Sequence, residues 1–340
     1  MTPFRRLDFL PPWGAWALGI GCGAVAGAAL LGAAPGATGV IGFLGLLGAA
    51  AWLAASGEPI AVLERAERPI VPPLEQSAAH PLVDLVEISG GSFLMGSPES
   101  EEGRFDNEGP VHQIRLSPFA CMRFPVTRRL YSEIVGVDPG WPEGDANDRP
   151  VNNVSWFDAV TFCNWLSEWE GLVPFYKIEG EQVSWNRPAG GYRLLTEAEW
   201  EYACRAGSSE RFYFGDDEVL LHQYGWFKGN SNGEIQPVGR KLPNVWGLHD
   251  MHGNLWEWCW DWFGRYSAGQ YRDPTGPDEG SGRAVRGGAF LDTPFDLRSS
   301  ERLQFPPEYA LRYVGFRCAR SLSDKPWPLS QRQRLSHRVW

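Results

Sequence analysis

Between Trp13 and Ala55 the chain runs for 43 residues without a charged side chain. One spanning helix needs about 20 apolar residues, so this stretch is about twice that length. Pro35-Gly36, with Gly39 just after, interrupts it near the middle. The pattern predicts two transmembrane helices, Trp13–Ala34 and Thr38–Ala55, forming a hairpin within residues 13–56. Gly19, Gly23, Gly27 and Ala28 would let the helices approach closely. A cleaved signal peptide, with its shorter apolar core, and a single tilted span are the competing readings. Arg5 and Arg6 lie in the N-terminal tail (1–12), Arg65 and Arg68 follow the run, and the link between spans carries no cation. Two spans would place both ends on the cytoplasmic side of a bacterial-type inner membrane. One span would place the rest of the chain in the periplasm.

The remainder divides by composition. Residues 57–81 form a Pro-rich connector (Pro59, Pro69, Pro72, Pro73, Pro81), and 82–321 form the main domain. Residues 322–340 form a basic tail with Trp327 and Trp340, suited to anionic lipid headgroups of the bilayer or to an acidic partner. The net charge is −10, which argues against a nucleic-acid partner, since such proteins need a basic face to displace counterions. Within the domain, Val83–Ile88 and Val111–Leu116 read as strands. Thr127–Val135, Ser155–Glu170 and Thr196–Ala206 read as helices capped by Thr127, Ser155 and Thr196. Glu199, three residues after Thr196, completes a capping box. Phe157, Val160, Phe162, Trp165 and Leu166 would supply the apolar stripe of the second helix. Elsewhere short apolar runs are divided by Gly, Pro and Asn, which predicts an α+β domain rich in loops.

Several segments carry a family resemblance. They are Gly90-Gly91-Ser92-Phe93-Leu94-Met95-Gly96-Ser97, Glu108-Gly109-Pro110-Val111-His112, Pro150-Val151-Asn152-Asn153-Val154-Ser155-Trp156 and Arg193-Leu194-Leu195-Thr196-Glu197-Ala198-Glu199-Trp200. Further along stand Gly253-Asn254-Leu255-Trp256-Glu257-Trp258, Arg286-Gly287-Gly288, Leu297-Arg298-Ser299 and Gly315-Phe316-Arg317. In this order they resemble the formylglycine-generating enzyme (sulfatase-modifying factor) family. The resemblance implies a C-type-lectin-like α+β fold for 82–321, with the membrane hairpin lying outside it.

It also implies what the chemistry would need. Members that oxidise a sulfatase cysteine resemble copper enzymes with two cysteines between the Arg-Gly-Gly motif and the next Arg-Ser. Soft thiolates are what hold Cu(I). Here that interval, Ala289 to Leu297, contains no cysteine, and Asp292 stands about where the first would be. Neither copper nor iron is therefore expected. His249 and His252, an i, i+3 pair in a Gly/Asn-rich context, are the only closely spaced histidines. They read as ordinary loop residues, with an iron site as the alternative. The resemblance implies a structural Ca²⁺ held by side chains of Asp250 and Glu257 and carbonyls of Gly253 and Leu255, all hard oxygen donors. A hydrogen-bonded turn is the alternative. Cys163 and Cys318 match positions paired as a disulfide in some relatives, whereas in a reducing compartment they would be free thiols.

The segment after Arg-Gly-Gly helps form the functional face in relatives. Here it offers Phe290, Leu291, Asp292 and Phe295, and later Phe305, Tyr309 and Tyr313. If exposed, these make an apolar-aromatic patch suited to a protein partner, and if not, part of the core. The reading is a membrane-anchored, non-catalytic subunit that docks on and stabilises an integral-membrane protein complex, be it respiratory, photosynthetic or secretory. The alternatives are a diverged metal-dependent oxidase using Asp292 or the histidine pair, and a lectin-like receptor for sugar or peptide.

Overall fold

Three hydroxyl side chains start the three longer helices. Thr127 Oγ1 accepts from Leu130 N (3.2 Å), Ser155 Oγ from Asp158 N (3.1 Å) and Thr196 Oγ1 from Glu199 N (3.1 Å). Asp158 and Glu199 return the bond to the backbone N–H of Ser155 and Thr196, each at 2.9 Å. Each such cap contributes about 1 kcal/mol. All three caps stand where the sequence places them. The computed structural model describes residues 83–136, 145–186 and 189–322. These fall within one compact unit, Gly57–Trp340. The expected membrane hairpin, the connector and almost all of the basic tail lie outside the described residues. Among the described residues, no helix is long and apolar enough to cross a membrane.

The described chain opens with strands β1 (Leu85–Ile88), β2 (Gly91–Met95), β3 (His112–Leu116) and β4 (Phe119–Met122). Helices α1 (Arg128–Val135) and α2 (Trp156–Trp169) follow, then the hairpin β5 (Tyr176–Glu179) and β6 (Gln182–Trp185). Next come β7 (Arg193–Leu194), α3 (Glu197–Arg205) and the single-turn α4 (Leu221–Tyr224). The second half holds β8 (Trp256–Trp262), β9 (Gln270–Arg272), β10 (Arg283–Arg286), β11 (Arg302–Phe305), β12 (Val314–Phe316) and β13 (Cys318–Ser321). They pair as β1-β4-β13-β7, β11-β10-β8-β12, β2-β3-β9 and β5-β6. First and last strands thus share a sheet, a non-local topology that the spacing of motifs did not reveal. The strands are short and the connections long, as an α+β chain with 40 glycines and 27 prolines would suggest.

α3 is buried along its whole length and packs on β10, β2 and β8. Trp200 on α3, Trp156 at the start of α2 and Trp258 on β8 are fully buried. Each indole N–H finds an acceptor: Trp200 at Glu257 Oε2 (2.9 Å), Trp156 at Cys259 O (2.9 Å) and Trp258 at Val154 O (3.0 Å). On α2, Val160, Phe162 and Leu166 are buried as expected, while Phe157 and Trp165 are only partly covered. Trp156, Ala159 and Cys163 take their places, so the stripe lies about one residue earlier than the sequence suggested.

Buried arginines tie the loops to this frame. Arg317 binds Glu257, Arg302 binds Glu197, Arg286 binds Glu201, Arg193 binds Glu199 and Arg298 binds Glu108. The planar guanidinium fork makes all of these contacts but that of Arg286 bidentate.

Candidate functional site

The face begins where β10 ends. Gly287 (φ +102°) and Gly288 (φ +74°) both occupy left-handed backbone. A Cβ at Gly288 would come within 2.7 Å of Asp296 O and of the Leu297 side chain. Glycine is required there, and the turn it makes sends Ala289 and Phe290 into the protein. Phe290 is 1% exposed, its N–H donating to Asn254 O (3.0 Å) and its carbonyl accepting from Ser231 Oγ (2.7 Å). Phe290 is therefore core, contrary to its expected place on an exposed patch. Tyr313 is buried too, edge-on to Phe305 at 5.8 Å. Leu291, Asp292 and Phe305 are half-buried, while Phe295 (41%) and Tyr309 (49%) are exposed.

Asp292 is held firmly. Its Oδ2 accepts from Trp256 Nε1 (2.8 Å) and from Ala289 N (2.8 Å), and its carbonyl accepts from Lys228 N (2.9 Å). Burial, helped by the charge of Asp296, pushes the carboxyl up to about 7 against those two hydrogen bonds. Asp292 is thus an acid that changes charge near neutral pH. All five described cysteines, Cys121, Cys163, Cys204, Cys259 and Cys318, are buried free thiols. Asp292 offers a hard oxygen donor, and no described cysteine is among its hydrogen-bond partners, so the described residues do not fit Cu(I) held by a thiolate pair.

Sequence reasoning missed one thiol–imidazole pair. Cys204 Sγ lies 4.0 Å from the His252 ring nitrogens. His252 Nδ1–H donates to Leu297 O (2.7 Å), and its Nε2 accepts from Tyr213 N (3.2 Å). Burial pushes Cys204 up to about 12 and His252 down to about 3. Both groups are neutral at physiological pH, so the pair is not an activated nucleophile. Its partners lie 48 residues apart, beyond the reach of any local pattern. His249 does not converge with His252. Its Nδ1 bonds Lys241 O (2.9 Å) and its ring packs on Phe124. Among the described residues no three His, Cys, Asp or Glu side chains are grouped to hold a metal.

The expected calcium ligands come together without making a cage. Asp250 (φ +57°), Gly253 (φ +94°) and Asn254 (φ +68°) form a tight loop of left-handed residues. Asp250 Oδ2 accepts from Gly239 N (2.8 Å), while its buried Oδ1 has no partner. Burial pushes this carboxyl up to about 6. Glu257 is already satisfied, with Arg317 on both oxygens (2.8 and 3.1 Å) and Trp200 Nε1 on one (2.9 Å). The Gly253 carbonyl accepts from Leu255 N at 3.0 Å. Asp250 has an oxygen to offer a cation, but the charge of Glu257 is matched by Arg317. With Glu257 so matched, the side chains of Asp250 and Glu257 do not together fit a calcium ion.

Cys163 and Cys318 do meet. Their Sγ atoms are 3.6 Å apart, beyond the about 2 Å of a disulfide bond. They are neighbouring thiols here.

The exposed rim includes residues the sequence did not single out. The ring of Phe295 covers Gly103, and the Arg211 guanidinium lies 5.9 Å from its centroid. Phe105 is also exposed. The segment 101–108 comes from nearly 200 residues earlier in the chain, which is why its place beside Phe295 could not be read from local pattern.

Comparison with known proteins agrees with this geometry. A model of the sulfatase-modifying factor enzyme 1-like domain matches residues 72–322. The chain is 32% identical over 283 residues to the formylglycine-generating enzyme of Thermomonospora curvata, covering 69% of this chain and 92% of that protein. It is 31% identical over 278 residues to the inactive C-alpha-formylglycine-generating enzyme 2 of Mus musculus, covering 70% and 85%. Among solved structures it resembles Treponema denticola variable protein 1, with TM-score 0.65 and 28% identity over 70% of this chain and 95% of that one.

Proposed function

The chain belongs to the family of sulfatase-modifying factor enzyme 1-like domains, and from that premise we propose that it is a non-catalytic binding member, docking on a membrane protein complex. One observation carries the reading. Where the resemblance would put a catalytic thiol, Asp292 is tied to Trp256 and Ala289, the aromatic side chain of Phe295 stands exposed three residues on, and Tyr309 is exposed as well. Exposed aromatics of this kind are the residues that anchor protein interfaces. The family contains both enzymes and an inactive member, so membership alone does not decide between them. The uncharged run 13–55 supplies the anchor in this proposal, in a bacterial-type inner membrane. The number of spans decides which side the domain faces.

The test is extraction of the full chain in mild detergent, with the mass and composition of the complex measured. A stoichiometric membrane partner is expected. Tyr309→Ala should weaken its retention about 30-fold, corresponding to about 2 kcal/mol, without moving the melting temperature, and Phe295→Ala by a similar factor with a small loss of stability, since its ring covers Gly103. Incubating the full chain with copper and a sulfatase-type cysteine peptide should give no aldehyde product. Formation of formylglycine would sink the proposal.

Asp292 adds a pH signature. An apolar partner covering this face would disfavour its charged form. Docking is then expected to be tighter at pH 6 than at pH 8, and Asp292→Asn should flatten the profile. A wild-type profile as flat as that of the variant would remove Asp292 from the interface.

A further inference from the structure

A cleft apart from the face just described lies between the N-terminus of α3, strands β2 and β3, and the segment 264–277 that holds β9. Its volume is about 230 Å³, which suits a small group or one side chain rather than a drug-sized molecule. Asp261, at the end of β8, is 4% exposed and lines it. One carboxylate oxygen, Oδ2, accepts from Glu197 N at 2.9 Å. The other, Oδ1, has no hydrogen-bond partner among the described residues. Gly276 (φ +74°) lies directly against it, where a Cβ would stand 2.7 Å from Asp261 Cβ and 3.1 Å from Oδ1. Any side chain at Gly276 would press on the Asp261 carboxylate.

The remaining walls mix aromatic and apolar surface with Ser267 and the exposed Arg265. His112 Nδ1 bonds the Pro110 carbonyl (2.9 Å). The His112 ring packs on Tyr266 (4.6 Å) and edge-on to Tyr271 (5.7 Å). Ile114 completes the floor. Arg302 and Glu197, which also line the cleft, are matched to each other. Arg302 is bidentate to Glu197 and covers one face of Tyr266 at 3.9 Å, and the Tyr266 hydroxyl donates to Glu197 Oε1 (3.3 Å). Tyr271 is part-exposed. An unpartnered, nearly buried carboxylate oxygen beside aromatic rings is a site for a donor that also carries positive charge.

We infer that this cleft binds the primary ammonium group of a small organic cation, with Asp261 Oδ1 as the charged acceptor and Tyr271 as an aromatic wall. Burial and the nearby Glu197 charge push the Asp261 carboxyl well above the usual carboxylate range. An unfilled cleft therefore favours the neutral acid, and an ammonium would favour the ionised form. The site does not depend on the docking face, so either proposal can fail without the other.

The test uses the full chain in detergent, titrated with n-butylammonium, with 1-butanol and with Nα-acetyl-lysine amide, binding being read by calorimetry. Butylammonium should bind saturably, and butanol at least tenfold more weakly. Asp261→Asn keeps an oxygen for Glu197 N but loses the charge, and should lower butylammonium affinity tenfold or more. Tyr271→Ala, which alters a part-exposed wall, should lower it several-fold with an unchanged melting temperature. Tighter binding of the lysine derivative than of butylammonium would identify a protein lysine as the source of the ammonium. Equal binding of amine and alcohol, or affinity unchanged in a folded Asp261→Asn variant, would overturn the inference.

Discussion

The Arg298→Met variant is expected to lose about 3–5 kcal/mol of folding stability, the loss that follows when one partner of a buried ion cluster is removed. Arg298 is fully buried. It is bidentate to Glu108 (2.6 and 2.7 Å) and reaches Glu101 (2.8 Å), Glu301 (2.8 Å) and the carbonyl of Phe295 (2.8 Å). One guanidinium thus fastens the segment 101–108 to the segment 295–301. Burial alone would raise the Glu108 carboxyl, but the hydrogen bonds and charge of Arg298 outweigh it and hold Glu108 down at about 2. Without Arg298 the burial cost stands unopposed, and Glu108 must take up a proton or unfold the segment. Arg298→Lys keeps the charge without the fork, so it should recover only part of the loss. Denaturant unfolding checks this. A loss below about 1 kcal/mol would show that the cluster relaxes to water and does not hold the two segments together. Because Phe295 is anchored through this arginine, the variant should also weaken docking, which Phe295→Ala should do at a much smaller cost in stability.

The second large effect is at Asp250, where a neutral substitution is expected to stabilise the protein. Burial lifts this carboxyl to about 6, above the unfolded carboxylate value near 3.9. A carboxyl raised in the folded state favours folding only while protonated. Its contribution is present below about pH 4 and is lost as pH rises through about 6. At about 1.4 kcal/mol per pH unit the loss approaches about 3 kcal/mol at neutral pH. In chelator, Asp250→Asn should be more stable than the parent by up to that amount at pH 7.5, with the difference vanishing near pH 4. Millimolar calcium should leave the comparison unchanged, since Glu257 is matched by Arg317. Were calcium to stabilise the parent alone and reverse the order, Asp250 would be a ligand after all.

How far the chain could be read follows from the range of each interaction. The caps at Thr127, Ser155 and Thr196 each need only a residue three positions on, and all three formed. The Gly287-Gly288 turn and the Arg-Gly-Gly and Gly-Phe-Arg segments are local as well, and they sufficed for the family. The aromatic face was legible only in part. Phe290 and Phe295 are five residues apart and both apolar, and nothing near them in sequence distinguishes core from surface. The backbone reversal at Gly287-Gly288 and the packing of distant Asn254 and Ser231 against Phe290 make that choice.

The same holds for charge. Buried arginines brace the domain. Which carboxylate each one meets was beyond local reading: Arg298 and Glu108 are 190 residues apart, Arg317 and Glu257 60. That pairing is what turned Glu257 from an expected calcium ligand into the partner of an arginine. It is also the return of the chain through β8, β3 and the segment 264–277 that leaves Asp261 with one free oxygen in a cleft. Caps and turns were decided by residues a few positions apart, because their hydrogen bonds close within one turn of backbone. The ionisation of Asp250, Asp261 and Asp292 was decided by the tertiary structure alone, because desolvation and opposing charge depend on what distant segments bring against them.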